Sequence, residues 1–228
     1  MERLDKDSVK IPDNRNYEYA YNQSYQLAVE RLFNITDYSE SYRKSNCRFK
    51  EIDSQKYIEL EYLGRTCRVI LGKNEKASLE IGFNDINEEI PLKEKILILH
   101  YILDAKGTPL SNNLITFKEL PEGPVYFRTF SQRTIKPLVN TFSKDPLQLI
   151  KASRFLGGRQ SGYGDTAVTI DTFSKVPITL VLWRGDSEFP PDGNILYDSS
   201  VSDYLPTEDI IVLTETVVWK LVKDTNKS

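Results

Sequence analysis

The stretch PLKEKILILHYILDAKG, residues 91–107, decides the fold. Pro91 sits near a first helical position, where its missing N–H costs nothing, and Gly107 offers a stop. From Ile96 to Leu103 the run is apolar nearly all round, whereas a surface helix keeps a polar stripe. A central helix is therefore expected. Toward the N-terminus, YIELEYL alternates with the period of a strand, and Arg48 to Ile52, Tyr57 to Leu63, Thr66 to Leu71 and Ala77 to Gly82 read as a meander turning at Gly64 and Gly72. Before it, Tyr17, Tyr21, Tyr25, Ala28, Val29 and Leu32 follow helical spacing up to about Phe33. Their tyrosine stripe reads either as core or as a stacking platform.

Toward the C-terminus, Leu114 to Phe117 and Val125 to Phe130 read as strands around the ELPEG turn. Ile135, Leu138, Val139 and Phe142 have helical spacing, with Pro137 starting or kinking that helix. Asp145-Pro146 followed by Gln148 resembles a capping box, and Gly157 closes the helix it opens. Thr166 to Phe173 and Pro177 to Arg184 form a hairpin around Ser174-Lys175, and the loop GDSEFPPDGNILYD after it is too rich in turn residues for regular structure. Pro206, Glu208 and Asp209 open a last helix to about Lys223. The expectation is a single α+β domain over 16–224, a mainly antiparallel sheet packed with about four to five helices, flanked by flexible tails at 1–15 and 225–228.

Composition narrows the function classes. Thirty Lys plus Arg against 33 Asp plus Glu leave a net charge of -3, which provides no basic field for nucleic acid. No apolar stretch approaches the roughly 20 residues of a membrane helix. The polar start MERLDKDSVKIPDNR lacks an apolar signal region, so a cytoplasmic protein is expected, with the Asn34-Ile35-Thr36 acceptor unglycosylated. Two cysteines and one histidine are too few for a structural zinc site or a conventional iron–sulfur cluster. Turns at Asp53 to Lys56 and Gly64-Arg65 would place Cys47 and Cys67 opposite Tyr62, roughly 9.5 Å apart and beyond disulfide reach.

Three groups could carry chemistry. Gly162, Gly164 and Ala167 match the spacing of a dinucleotide loop, but a helix end precedes them and a strand follows, the reverse of a phosphate cradle. That segment reads as helix capping or as a ligand loop whose charge is Arg159. Asp165, Asp171, Asp186, Glu188, Asp192 and Asp198 cluster in sequence. Strand pairing that sums to about 350 places Asp165 near Gly185, at one sheet end with Asp186 and Glu188, where repulsion would raise a carboxyl pKa unless a cation or donor intervenes. These acids could cap turns, hold a cation or split acid and base roles. His100, with Asp104 one turn later, could present a ring nitrogen held by that carboxylate, or be a satisfied buried histidine. No Gly-x-Ser-x-Gly elbow supports a serine hydrolase.

The runs ILHYILDAKGTPLSNNLITFKELPEGPVYF, RTIKPLVNTF, LGG before GYGD, VPITLVLWRGDSEFPPDGNILYD and YLPTED together resemble the uncharacterised prokaryotic family known as domain of unknown function 3786, over most of residues 17–222. The resemblance implies a soluble domain of anaerobes. Some relatives carry a cysteine-rich segment similar to one in corrinoid iron–sulfur proteins of one-carbon metabolism, which points toward a corrinoid. This chain lacks that segment, so cluster binding does not carry over. Residues available for ligand contacts are His100, Tyr101, Arg159, Asp165, Trp183, Asp186, Glu188 and Phe189. The leading expectation is a non-catalytic ligand-binding or accessory protein taking a small molecule or corrinoid. The alternatives are an acid-base or cation-assisted hydrolase using Asp186, Glu188 and His100, or a module binding a protein partner.

Overall fold

The computed structural model describes residues 14–35, 38–72, 79–85 and 88–225. Among them, nine strands form one sheet. They are β1 (Arg48–Ile52), β2 (Gln55–Tyr62), β3 (Arg65–Leu71), β4 (Leu79–Phe83), β5 (Leu114–Thr116), β6 (Arg159–Ser161), β7 (Thr166–Phe173), β8 (Val176–Trp183) and β9 (Asp192–Asp198). The order is β4-β3-β2-β7-β8-β9-β5, with β1 pairing β2 and β6 pairing β7, and every pairing is antiparallel. Seven helices accompany it: α1 (Asn14–Phe33), α2 (Tyr38–Ser45), α3 (Leu92–Asp104), α4 (Gly123–Arg133), α5 (Ile135–Phe142), α6 (Pro146–Ser153) and α7 (Thr207–Thr225). The chain is thus α+β with a mainly antiparallel sheet.

The sheet has a narrow waist. β2 meets β7 through Tyr62 opposite Phe173, supported by the Leu63 N–H donating to the Thr172 carbonyl at 3.0 Å. So little pairing cannot hold the two halves of the sheet together, and α3 supplies the missing cohesion. Ile98, Leu99, Tyr101 and Ile102 on α3 are fully buried. The Tyr101 ring stacks on Phe173 at 4.2 Å between centroids, Phe173 meets Tyr62 at 5.1 Å, and Tyr62 meets Phe83 at 6.5 Å. Tyr204 continues the row beyond Tyr101 at 5.9 Å. Each ring removes a large apolar area from water, and the offset contacts add to that burial. The hydroxyls stay satisfied: Tyr62 donates to Glu94 Oε2 at 2.9 Å and Tyr101 to the Ser45 carbonyl at 2.8 Å. Burial and the Glu94 carboxylate push the Tyr62 phenol well above its usual range, so it remains a donor.

A second close approach joins the halves. Gly64, at φ +74, turns β2 into β3, and a Cβ there would lie 2.7 Å from the Gly157 nitrogen. Gly157, at φ +71, ends the 3-10 turn Arg154–Leu156 after α6 by donating to the Arg154 carbonyl, while the Gly158 N–H reaches the Ser153 carbonyl. Only glycine permits both the left-handed backbone and the contact.

Several elements depart from the expected ones. Val125 to Phe130 is helix α4, not a strand: Pro124 opens it, Val125 is exposed, and Phe130 stacks on Phe117 at 3.8 Å. The β-branched and aromatic residues of VYFRTF suggested a strand, but the buried position does not alternate. Helix α2 has no counterpart among the expected elements, and the second half of the expected irregular loop is strand β9, whose NILY residues pair along β8. α3 ends at Asp104, before Gly107. Asp145 makes no side-chain cap bond, although Pro146 does open α6. Asn14 and Arg15 begin α1 rather than ending a tail, and Thr225 ends α7; the remaining expected tail positions, with Thr36, Ala77 and Ser78, lie outside the described residues. The side chain of Tyr17 does as well; of its stripe, Tyr25 packs against the core and Tyr21 is exposed.

Cys47 and Cys67 are free thiols. Pairings Arg48 with Glu59 and Leu60 with Cys67 put both opposite Leu60, two positions from the expected Tyr62, because the two turns close at Asp53-Ser54 and Leu63-Gly64. Burial pushes the Cys67 thiol up to about 12.

Candidate functional site

β7 and β8 pair with Thr166 opposite Leu182 and Asp171 opposite Pro177. That register differs by two from the expected one: the turn closes on Phe173 and Val176, and a bulge follows Asp171. Asp165 still arrives at the end of the sheet where Asp186 and Glu188 leave it, its N–H donating to the Leu182 carbonyl and its Oδ2 accepting from the Arg184 N–H at 2.7 Å. Asp192, opposite Trp183, shares this end. Asp171 and Asp198 do not. Asp171 pairs with Arg159 near the far turn, and Asp198 stands opposite Leu114. Asp198 accepts from the N–H groups of Ser111, Asn112 and Ser200 and from the Ser111 and Ser200 hydroxyls. Burial would raise its carboxyl, but these donors outweigh it and hold the pKa at about 2.

The loop from Arg184 to Pro191 faces the α5–α6 turn, Ser143 to Leu147, across a cleft of ≈ 650 Å³. Asp186 shapes the loop. Its Oδ1 accepts from the N–H groups of Glu188 and Phe189, both at 2.8 Å, and its own N–H donates to the Phe189 carbonyl. Hydrogen bonds from the Phe189 and Glu188 amides lower the Asp186 pKa below the usual carboxylate value, so backbone donors intervene where repulsion alone would raise it. With its carboxylate turned inward, the loop presents Phe189, 67% exposed, across from Leu147, 57% exposed. Lys144 and Arg184 bring positive charge to the same cleft, and Asp145 and Glu188 negative.

The other expected site residues lie apart from this cleft. Arg159 belongs to strand β6, whose pairing with β7 turns the glycine segment into a hairpin. Trp183 is half-exposed beside Gly164, where an added Cβ would come within 3.3 Å of its ring. Tyr101 is fully buried in the aromatic row. His100 faces α7, with Nδ1 2.6 Å from Asp209 Oδ2, not Asp104, which pairs with Arg31 on α1. The Asp209 hydrogen bond raises the imidazole pKa. Among the described residues no three His, Cys, Asp or Glu side chains converge as a set of cation ligands, and no helix is long and apolar enough to cross a membrane.

Of the residues across the cleft, the sequence marks Asp145 and Pro146 only as a helix start and gives no sign of Lys144 or Leu147. The family model of Domain of unknown function (DUF3786) matches residues 37–220. The chain belongs to this family. No curated protein and no solved structure matches it. The DUF3786 match covers α3, the β7–β8 hairpin and the Asp186 loop alike.

A corrinoid would need an available axial donor beside an open slot. In this DUF3786 chain Asp209 holds His100 Nδ1, which leaves Nε2 as the ring nitrogen that could ligate, but the side chain is 19% exposed between α3 and α7 and lines none of the four clefts formed by Asp186, Trp219, Ile35 and Gln148 with their neighbours. What does not fit is the slot: His100 is mostly buried and Tyr101 is fully buried in the aromatic row, so neither side chain faces an open cleft among the described residues.

Proposed function

We propose that this chain is a non-catalytic ligand-binding or accessory protein whose ligand enters the cleft between the Asp186 loop and the α5–α6 turn. The observation that carries this reading is the double acceptance of loop amides by Asp186. An exposed carboxylate with a lowered pKa is a weak base and is seldom protonated near neutrality, which suits loop shaping better than proton transfer. Asp165 is likewise engaged by the Arg184 amide, and His100 stands elsewhere. For the hydrolase alternative Asp186 and Glu188 share the cleft but His100 does not join them, which favours the non-catalytic reading. A rigid loop displaying Phe189 against Leu147, with charges of both signs nearby, suits a peptide-like ligand with one apolar side chain.

Two measurements test this. Phe-containing dipeptides titrated into ¹⁵N-labelled protein should shift the Glu188 and Phe189 amides saturably, and Phe189→Ser should abolish the response. An unresponsive wild-type loop would remove the ligand from this cleft. In parallel, turnover of p-nitrophenyl esters or phosphates that disappears in Asp186→Asn would overturn the non-catalytic reading.

A further inference from the structure

A second cleft, of ≈ 340 Å³, lies between the first turn of α3, the C-terminal half of α7 and Phe155. Its floor carries an unsatisfied group. Thr216 lines the cleft and is 3% exposed, yet its Oγ1 has no hydrogen-bond partner among the described residues. Buried hydroxyls are rarely left this way, and an absent partner is one of the standard explanations. Beside it, Glu94 is neutralised by Lys220 Nζ at 3.2 Å and by the Tyr62 hydroxyl.

Two lysines and a helix start lie above this floor. Pro91 occupies the N-cap of α3 and offers no side-chain acceptor; its carbonyl takes the Glu94 and Lys95 amides at 2.9 and 3.0 Å, and no side chain caps the Leu92 and Lys93 amides at the positive end of the helix dipole. Lys93 and Lys223 line the same cleft, and neither has an ion-pair partner among the described residues. Of the acids at the rim, Glu88 is held by Arg65 at 3.0 Å, and Asp224 is the other. Trp219 and Phe155 form the walls, 41% and 45% exposed.

We infer that this cleft is a second, separate binding site for a small ring-bearing anion. The ring lies against Trp219 and Phe155, the anionic group meets the α3 first turn between Lys93 and Lys223, and a polar atom of the ligand satisfies Thr216. The volume suits one or two rings rather than a macrocycle. A carboxylate or a phosphate would satisfy the same donors.

The chain has two tryptophans, so Trp183→Phe leaves Trp219 as the sole indole reporter. In that background, benzoate or adenosine monophosphate should change the emission saturably, and whichever binds more tightly distinguishes a carboxylate source from a phosphate one. Benzamide, neutral and nearly isosteric with benzoate, should bind roughly tenfold more weakly than the favoured anion, as should that anion to Lys223→Glu. Thr216→Val should weaken the favoured anion several-fold while raising the Tm of the free protein, because it deletes an unsatisfied hydroxyl. No saturable change with either anion up to about 10 mM would overturn the site. So would equal affinity in wild-type Thr216, Thr216→Val and Lys223→Glu backgrounds. Neither result bears on the Asp186 cleft, which Trp219 does not line.

Discussion

The waist of the sheet and the Asp186 loop satisfy their polar groups in opposite ways. At the waist, partners come from far along the chain: Tyr62 finds Glu94, Glu94 finds Lys220, Tyr101 finds Ser45, and His100 finds Asp209. In the loop they come from the next turn of backbone, as Asp186 takes the amides of Glu188 and Phe189. Long-range pairing makes the waist a condition of folding. Local pairing makes the loop a shaped surface that can change while the core stays intact.

The largest effect that could break this contrast concerns Leu99. It is fully buried on α3, and Leu99→Ala should destabilise by about 2–5 kcal/mol through lost burial and a residual cavity. Urea unfolding checks it. A loss below about 0.5 kcal/mol would mean that α3 does not bind the two halves of the sheet. Next in size is Glu94→Leu, which leaves the Tyr62 hydroxyl and the Lys220 ammonium without their shared partner and should cost about 1–3 kcal/mol. Combining it with Tyr62→Phe should recover part of that loss, since the orphaned hydroxyl is then gone.

The same contrast explains what the sequence could disclose. All-round apolarity from Ile96 to Leu103 and the alternation of YIELEYL depend on short-range pattern, and both foretold the elements found: a buried α3 and a β2 with an exposed Glu61 between buried neighbours. The capping role of the glycine segment was legible for the same reason, since a helix end preceded it. His100 was assigned Asp104 because spacing arguments see one helical turn, whereas its partner lies 109 residues away. The end of the sheet shared by Asp165 and Asp186 followed from hairpin pairing, but the two-residue error in register came from a turn and a bulge with no compositional mark. Repulsion among these acids was expected to raise a pKa only without an intervening cation or donor, and at Asp186 the donors are backbone amides that no side-chain pattern discloses. The α7 cleft drew no notice, as Lys93, Phe155, Thr216 and Trp219 meet only once the helices pack.

A smaller effect sharpens the waist through pH. The Asp209 hydrogen bond raises the folded His100 pKa above the ordinary imidazole value of about 6.5. The folded state then binds the proton more tightly than the unfolded chain does. The resulting stability is fully present below about pH 6.5 and is lost as pH rises through the raised folded value. Asp104 and Arg31 act on the same ring with opposite signs. Urea midpoints should therefore fall on going from about pH 6 to about pH 8 in wild type, and the fall should shrink in Asp209→Asn. An equal fall in both proteins would assign the dependence to other groups.

The smallest effect is in the loop, and there the side-chain chemistry can be separated from its charge. Asp186→Asn keeps a carbonyl oxygen where Oδ1 accepts the Glu188 and Phe189 amides, so the turn should persist with weaker bonds. Asp186→Ala removes the acceptor altogether, and those two amides then face water. Because the site is exposed and locally satisfied, neither change should move the urea midpoint appreciably. Amide hydrogen exchange is the discriminating measurement: protection at Glu188 and Phe189 should decline modestly in Asp186→Asn and vanish in Asp186→Ala. If Phe189 is held out by this turn to meet a ligand, Asp186→Ala should also weaken dipeptide binding more than Asp186→Asn does. Equal protection in all three proteins would show that prolines 190 and 191 hold the loop unaided, and the contrast between a locally pinned loop and a remotely pinned waist would fail.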